Sequence, residues 1–149
     1  MGSGRMNYIG IDPGKKGGFA VITDDIAIAL PWDDKKFITE MECIRREPCI
    51  VCLEKVGPMP KQGSVSTFHF GESVGYIKGI LEVFRIPYQE ISPKKWKGEF
   101  GLNSEKAKSI AVCQRLFPNV SLLPTERCRV PSDGMAEALL MAEYARRKL

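Results

Sequence analysis

Short apolar runs separated by polar turns predict three strands at the start of the chain. They are NYIGI, which ends at Asp12, then GGFAVIT, then DIAIAL after a tight turn at Asp24 and Asp25. Strands this close in sequence form an antiparallel meander. A fourth strand, CIVCLE, is apolar throughout, as expected for a strand covered on both faces, and PYQEIS is a fifth.

Helical periodicity and capping residues fill the rest of the chain. Predicted helices cover residues 33–46, 66–84 and 131–149, with a helical turn in PKKWKGEFGL and another helix capped by Asn103 or Ser104 that ends near Phe117. Three strands followed by alternating helices and strands predict an α/β fold: a mixed five-stranded sheet, antiparallel meander first, flanked by helices.

The composition fits one domain. The chain has 149 residues, 44% of them hydrophobic and 27% charged. We expect a single domain over residues 6–149, with MGSGR at residues 1–5 interpreted as a cloning scar. No apolar run is long enough to span a membrane and no secretory signal is visible, so we expect a soluble intracellular protein without membrane contact.

The cysteines are expected to be reduced and structural. There are five of them, an odd number, which does not favour a disulfide framework. Cys49 and Cys52 have the spacing of half a zinc site, but they lie in a predicted strand, where residues three apart point to opposite faces. We therefore expect them to be buried without a metal.

The net charge of +4 is unevenly distributed. Residues 24–47 carry seven acids against four bases, whereas residues 92–108 carry five lysines against two acids. Such a basic segment suits a polyanion such as nucleic acid, since counterion release supplies affinity without sequence readout. An ordinary solvated lysine-rich surface explains the charge alone equally well.

A glycine stripe marks the long predicted helix. Gly71, Gly75 and Gly79 recur every four residues on one face. Each costs roughly 1 kcal/mol of helix propensity relative to alanine, so close packing is the expected compensation. Two interpretations remain open: packing of this face on the sheet, or contact with the same helix of a second copy.

Four carboxylates occupy positions that a fold could bring together. Asp12 and Glu54 end predicted strands, and Asp133 and Glu137 lie four residues apart on one helix face. Clustered carboxylates repel one another, so such a cluster implies a hard divalent cation such as Mg²⁺ or Mn²⁺. Two such ions about 4 Å apart suit water attack on a phosphodiester. Each acid alone also has a structural explanation, as a turn former, a surface acid or a first-turn helix residue.

The order of motifs resembles one nuclease family. The segments IGIDPGKKGGFAVI, CLEKV, FGESVGYIKGIL, ISPKKWKGEFGLNSEKAKSIA and DGMAEALLMAEYA together resemble RuvC-type Holliday junction resolvases, in particular the compact phage, bacterial and organellar members. The resemblance covers nearly the whole chain after residue 5. The first motif alone also opens actin-like ATPases, but 149 residues leave no room for their two-domain body.

The resemblance implies a ribonuclease H-like fold and a homodimer that resolves four-way DNA junctions by paired symmetric nicks. It implies two-metal-ion hydrolysis with two Mg²⁺ ions per site, for which Mn²⁺ can substitute. Asp12, Glu54, Asp133 and Glu137 would be the catalytic metal ligands, and Lys106 would lie near the scissile phosphate. Cytoplasm of a prokaryotic or phage-infected cell is the expected location, or an organelle after removal of a transit peptide.

Further lysines are expected to track the DNA backbone by charge, and the sequence departs from the family pattern at two places. Lys61, Lys94, Lys95 and Lys97 are expected to bind DNA. The last two acids are four residues apart, where the familiar bacterial pattern has three, and Gly57 occupies the position of a bacterial aromatic junction wedge. Met59 or Phe68 is the candidate replacement wedge.

Trp96 and His69 are expected to be structural. Trp96 is interpreted as a hydrophobic anchor in preference to a residue that stacks on a nucleobase, and His69 as a packing residue in preference to a catalytic base.

Two alternative functions stay open. They are a junction-binding protein without catalytic activity and a branched-DNA nuclease of broader specificity.

Overall fold

The computed structural model of the chain describes residues 5–24, 26–58 and 61–149. Residues 1–4 of the expected cloning scar, Asp25 of the expected turn, and Met59, the candidate wedge, lie outside the described residues. In the described part of the chain, no helix is both long and apolar enough to cross a membrane.

Five strands and five helices are found among the described residues. In chain order they are β1 (Asn7–Asp12), β2 (Gly18–Ile22), β3 (Ala27–Pro31), α1 (Asp34–Ile44), β4 (Cys49–Glu54), α2 (Ser64–Val83), β5 (Tyr88–Ile91), α3 (Pro93–Glu99), α4 (Lys106–Leu116) and α5 (Asp133–Lys148). The strand order across the sheet is β3-β2-β1-β4-β5. β1, β2 and β3 pair antiparallel, whereas β1, β4 and β5 run parallel. The predicted α/β fold with a mixed sheet and an initial meander is confirmed.

The two faces of the sheet carry separate hydrophobic cores. Ile9 and Ile11 of β1 pack with residues of α1 and α2, whereas the core on the other face is built from α3, α4 and α5. Because side chains alternate along a strand, Gly10 and Asp12 point to the side opposite Ile9 and Ile11, toward α5. The same alternation directs Glu54 of β4 to that side.

Helix α5 lies directly on β1, and glycine makes this possible. A Cβ atom added to Gly10 would collide with the Ala138 carbonyl oxygen of α5, and one added to Gly134 would collide with the backbone of Lys16 and Gly17. Only glycine allows so close a backbone approach at these points. As a result residues 134–145 of α5 are buried, and Glu137 is held beside Asp12 at the end of β1.

Several predicted boundaries agree with the structure and one cap does not. Asp33 caps α1 by accepting the Lys36 backbone N–H at 2.9 Å, and β4 has the predicted bounds. The expected turn in PKKWKGEFGL is a full short helix, α3. Neither Asn103 nor Ser104 caps α4, which begins after Glu105, because the Asn103 side chain accepts the Glu105 N–H in a local turn instead.

The predictions for the cysteines and for α2 have opposite outcomes. Cys49 and Cys52 are buried in the two cores on opposite faces of the sheet, as expected. In α2, by contrast, a Cβ atom added to any of the three stripe glycines would meet nothing within 4 Å. The interpretation that this stripe packs on the sheet is therefore wrong. His69 is also exposed and pairs with Glu72 at 3.1 Å, so its interpretation as a packing residue is wrong.

Candidate active site

The site begins where two parallel strands end side by side. β1 and β4 run in register up to the pair Ile11 and Leu53, and Asp12 and Glu54 come directly after that pair. Both side chains therefore leave the same edge of the sheet on the face that α5 covers. This arrangement brings together two carboxylates from residues that are 42 positions apart in the sequence.

Helix α5 contributes the third carboxylate. Glu137 is 9% exposed and lies one residue before Ala138, at the point where α5 crosses Gly10 of β1. Asp12, Glu54 and Glu137 each offer a carboxylate oxygen, and these oxygens all lie within 4.8 Å of one another. We call these three residues the carboxylate cluster.

The fourth predicted acid lies at the rim. Asp133 is one helical turn before Glu137 and is not part of the group within 4.8 Å. Its side chain is about one third exposed, and its Oδ2 lies 3.4 Å from Nζ of Lys106, the first residue of α4. The Ser132 side chain caps α5 by accepting the Met135 backbone N–H at 3.2 Å, which fixes where Asp133 enters the helix.

The electrostatics of the cluster favour a bound positive charge. Burial raises the pKa of Asp12 well above its ordinary value, and the charges of Glu54, Glu137 and Asp133 raise it further. Burial also raises the pKa of Glu54 and that of Glu137. Three carboxylates that resist ionisation together are a costly arrangement unless a cation neutralises them.

Lys97 lies inside the site. Its Nζ is 3.7 Å from Oε1 of Glu137, and its charge lowers the pKa values of Asp12, Glu54 and Glu137. Its side chain is only 19% exposed. Lys97 was expected to bind DNA, and in the structure its ammonium lies beside the carboxylate cluster. Ile91 of β5 pairs with Glu54, so α3, which follows β5, starts beside this acid; that register is not readable from the sequence.

Trp96 is a second site residue whose contact the sequence did not reveal. Its side chain is fully buried, as expected of a hydrophobic anchor, and its indole Nε1–H donates to Oε2 of Glu54 at 2.9 Å. No sequence pattern indicates this hydrogen bond, because it joins residues on separate elements 42 positions apart.

The other predicted lysines lie outside the carboxylate cluster. Lys94 and Lys95 are exposed on α3, next to the buried Trp96, and Lys61 is exposed in the loop before α2. Lys106 is 74% exposed and reaches the rim only through Asp133. These four side chains are therefore accessible to a large ligand, and Lys106 lies at the rim of the cluster.

The carboxylate cluster fits a hard divalent cation. All three donors are carboxylate oxygens, the ligands that Mg²⁺ and Mn²⁺ prefer. Asp133 lies close enough to raise the pKa of Asp12, so it extends the negative field toward Lys106. The donor set contains neither sulfur nor imidazole, which sets it apart from zinc sites.

Comparison with solved structures decides the fold. Thermus thermophilus RuvC in complex with a Holliday junction substrate aligns with a TM-score of 0.59 and 18% identity over 96% of each chain. A second Thermus thermophilus RuvC structure gives a TM-score of 0.55 and 18% identity, covering 95% of this chain and 96% of that one. This chain has the ribonuclease H-like fold of RuvC. No protein-family profile and no curated protein sequence matches the chain.

Proposed function

We propose that this protein is a Holliday junction resolvase of the compact RuvC type, formed by a single nuclease domain over residues 6–149. It would cut four-way DNA junctions by paired symmetric nicks through metal-dependent hydrolysis of phosphodiester bonds. The observation that carries the proposal is the carboxylate cluster of Asp12, Glu54 and Glu137, with oxygens within 4.8 Å of one another. The likeness to a RuvC structure bound to a junction supports the choice of substrate.

The residues of the site have distinct roles in this proposal. Asp12, Glu54 and Glu137 would hold Mg²⁺ or Mn²⁺, with Asp133 completing the ligands for a pair of ions. When bound, the metal supplies Lewis acidity and a nucleophilic water at neutral pH. The rigid sheet edge and the buried helix α5 hold the carboxylates in place before the substrate arrives, so little reorganisation is needed during the reaction.

Lysines supply the positive charge. Lys106 is exposed at the rim, where its ammonium can leave Asp133 and stabilise the charge that develops on the scissile phosphate. Lys94, Lys95 and Lys61 are exposed and would contact the backbone of DNA, which would fix the register of the substrate without reading its sequence. Lys97 balances part of the charge of the cluster.

A homodimer completes the proposal. A four-way junction has approximate two-fold symmetry, so two copies related by a two-fold axis would present two active sites to opposing strands. Gly71, Gly75 and Gly79 form an exposed strip on α2 on which nothing in the described part of the chain packs within 4 Å of an added Cβ. We assign this strip to the contact between the two copies.

A gel assay tests the proposed function. The wild-type protein is incubated with a labelled four-way junction, a flap and a linear duplex of matched sequence, with Mg²⁺ or with chelator. Paired nicks confined to the junction and dependent on Mg²⁺ are expected. Tight junction binding without nicks would identify a structural binder instead. Cutting of the junction and the flap but not of the duplex would identify a branched-DNA nuclease, and equal cutting of all three substrates would identify a general nuclease.

A further inference from the structure

A buried tryptophan donates a hydrogen bond to one member of the carboxylate cluster. The Trp96 indole N–H lies 2.9 Å from Oε2 of Glu54, and the Trp96 side chain has no exposed surface. An indole N–H is a donor only, so it orients toward an acceptor and cannot exchange roles. The bond therefore fixes one carboxylate oxygen of Glu54 and, through it, the direction of the other.

The same helix also contacts a second member of the cluster. Lys97 Nζ lies 5.5 Å from the centroid of the Trp96 ring and 3.7 Å from Oε1 of Glu137. Two adjacent residues of α3 thus touch acids that come from β4 and from α5. Glu99 at the end of α3 pairs with Arg147 at 3.2 Å, which ties this short helix to α5.

Packing alone does not explain the tryptophan. A phenylalanine would fill most of the same core space, whereas only the indole offers a donor to Glu54. Buried polar groups of this kind are paired because an unpaired one is costly, and hydrogen bonds to ionised acceptors are the stronger ones. Residues that hydrogen-bond a metal ligand orient it and tune its affinity.

We propose that Trp96 is a positioning residue that holds the Glu54 carboxylate in the orientation that binds the divalent cation. The inference rests on the proposed function, since it assumes that the carboxylate cluster is the metal site. Trp96 touches neither metal nor DNA in this account. It acts through Glu54, and its loss should weaken metal binding about 10-fold to 100-fold, the usual effect of removing a partner of a metal ligand.

The chain offers a matched control. Trp32 also donates its indole N–H to a carboxylate, at 2.8 Å to Oδ1 of Asp34, but it packs with Phe19 and Phe37 on the other face of the sheet. Trp32→Phe therefore removes the same chemical group on the face of the sheet opposite the carboxylate cluster. A difference in metal affinity between Trp96→Phe and Trp32→Phe therefore reports the hydrogen bond to Glu54 and not the loss of an indole as such.

Titration calorimetry with MnCl₂ on the full chain, without DNA, tests the inference. Trp96→Phe should bind Mn²⁺ about 10-fold to 100-fold more weakly than wild type, with Trp32→Phe unchanged and junction binding in chelator retained in both. Equal Mn²⁺ affinity in Trp96→Phe and wild type would overturn the inference and leave the proposed nuclease intact. A wild-type protein that binds no Mn²⁺ and cuts no junction would overturn both.

A second measurement works without changing Trp96. In Trp32→Phe, Trp96 is the sole tryptophan, and its indole N–H gives one resolved resonance in a nitrogen-15 correlation spectrum. Titration with diamagnetic Mg²⁺ should move that resonance with the dissociation constant that calorimetry with MgCl₂ gives for the same variant. A resonance that stays in place while Mg²⁺ binds would overturn the inference, and this result does not depend on whether Trp96→Phe folds.

Discussion

Asp12 and Glu54 lie side by side because β1 and β4 are parallel strands in register, and each acid directly follows the last registered pair, Ile11 with Leu53. Parallel pairing aligns the carboxyl ends of strands, so two acids distant in sequence become neighbours. Glu137 on α5 then closes the group. Strand register and one buried helix thus concentrate negative charge that the fold itself only partly neutralises.

The first prediction concerns the stability of the metal-free protein. In the folded state the pKa of Asp12 is raised, chiefly by burial. Between the ordinary pKa of about 4 and this raised value, the folded protein binds more protons than the unfolded one, so its stability falls as pH rises. Asp12→Asn removes the charge. In chelator, thermal denaturation should show that the stability of Asp12→Asn relative to wild type increases as pH rises from 4 to 8. A stability difference that stays constant over this range would contradict the account that ionising Asp12 destabilises the fold.

Lys106 is predicted to act in the chemical step. Lys106→Ala should lower the single-turnover cleavage rate about 10²-fold to 10³-fold, the usual cost of removing one group that stabilises transition-state charge. Lys108→Ala is the matched control, since Lys108 lies on the same helix and pairs with Glu105 at 3.5 Å instead of with Asp133. Equal rates for the two variants would remove Lys106 from the chemistry.

Lys94 and Lys95 are predicted to bind DNA through its backbone. Each change to alanine should weaken junction binding at low salt and reduce the slope of log affinity against log salt by about 1, because one phosphate contact is lost. Fluorescence anisotropy across a salt series measures both effects. Lys36→Ala, an exposed lysine change on α1 at the other face of the sheet, should leave the slope unchanged. An unaltered slope in the α3 variants would place both lysines outside the interface.

The glycine strip gives a prediction about assembly. Gly75→Glu places a charge where nothing lies within 4 Å of the added Cβ, so the single chain should fold and gain roughly 0.5 kcal/mol of helix propensity. If α2 joins two copies, the variant should sediment as one chain where wild type sediments as two. Gln114→Glu, exposed on α4, is the control and should remain dimeric. A dimeric Gly75→Glu would exclude the strip as the interface.

The sequence predicted the sheet well because the signals there are local. The continuous apolar run of CIVCLE fixes β4 to the residue, and the paired acids at 33 and 34 fix the start of α1. The start of α4 was misjudged, because Asn103 uses its side chain in a turn, where it competes with a helix cap.

Long-range contacts limited the prediction of the site. The acids could be named from the motifs, but whether Asp133 lies with the other three depends on how α5 enters the sheet edge. The inward position of Lys97 and the hydrogen bond from Trp96 to Glu54 arise from the placement of α3, which local periodicity does not encode. The role of the glycine strip stayed open in the sequence for a related reason: the spacing shows that the three glycines share a helix face but not what covers that face.

The most direct test of the proposed metal-dependent site is Asp12→Asn in a single-turnover junction assay with Mg²⁺, together with a mobility-shift measurement of junction binding in chelator. The replacement keeps the shape of the side chain and removes the charge at the centre of the carboxylate cluster. Cleavage should be abolished while junction binding stays close to that of wild type. Paired nicking by Asp12→Asn at the wild-type rate would contradict the assignment of the cluster as the catalytic centre.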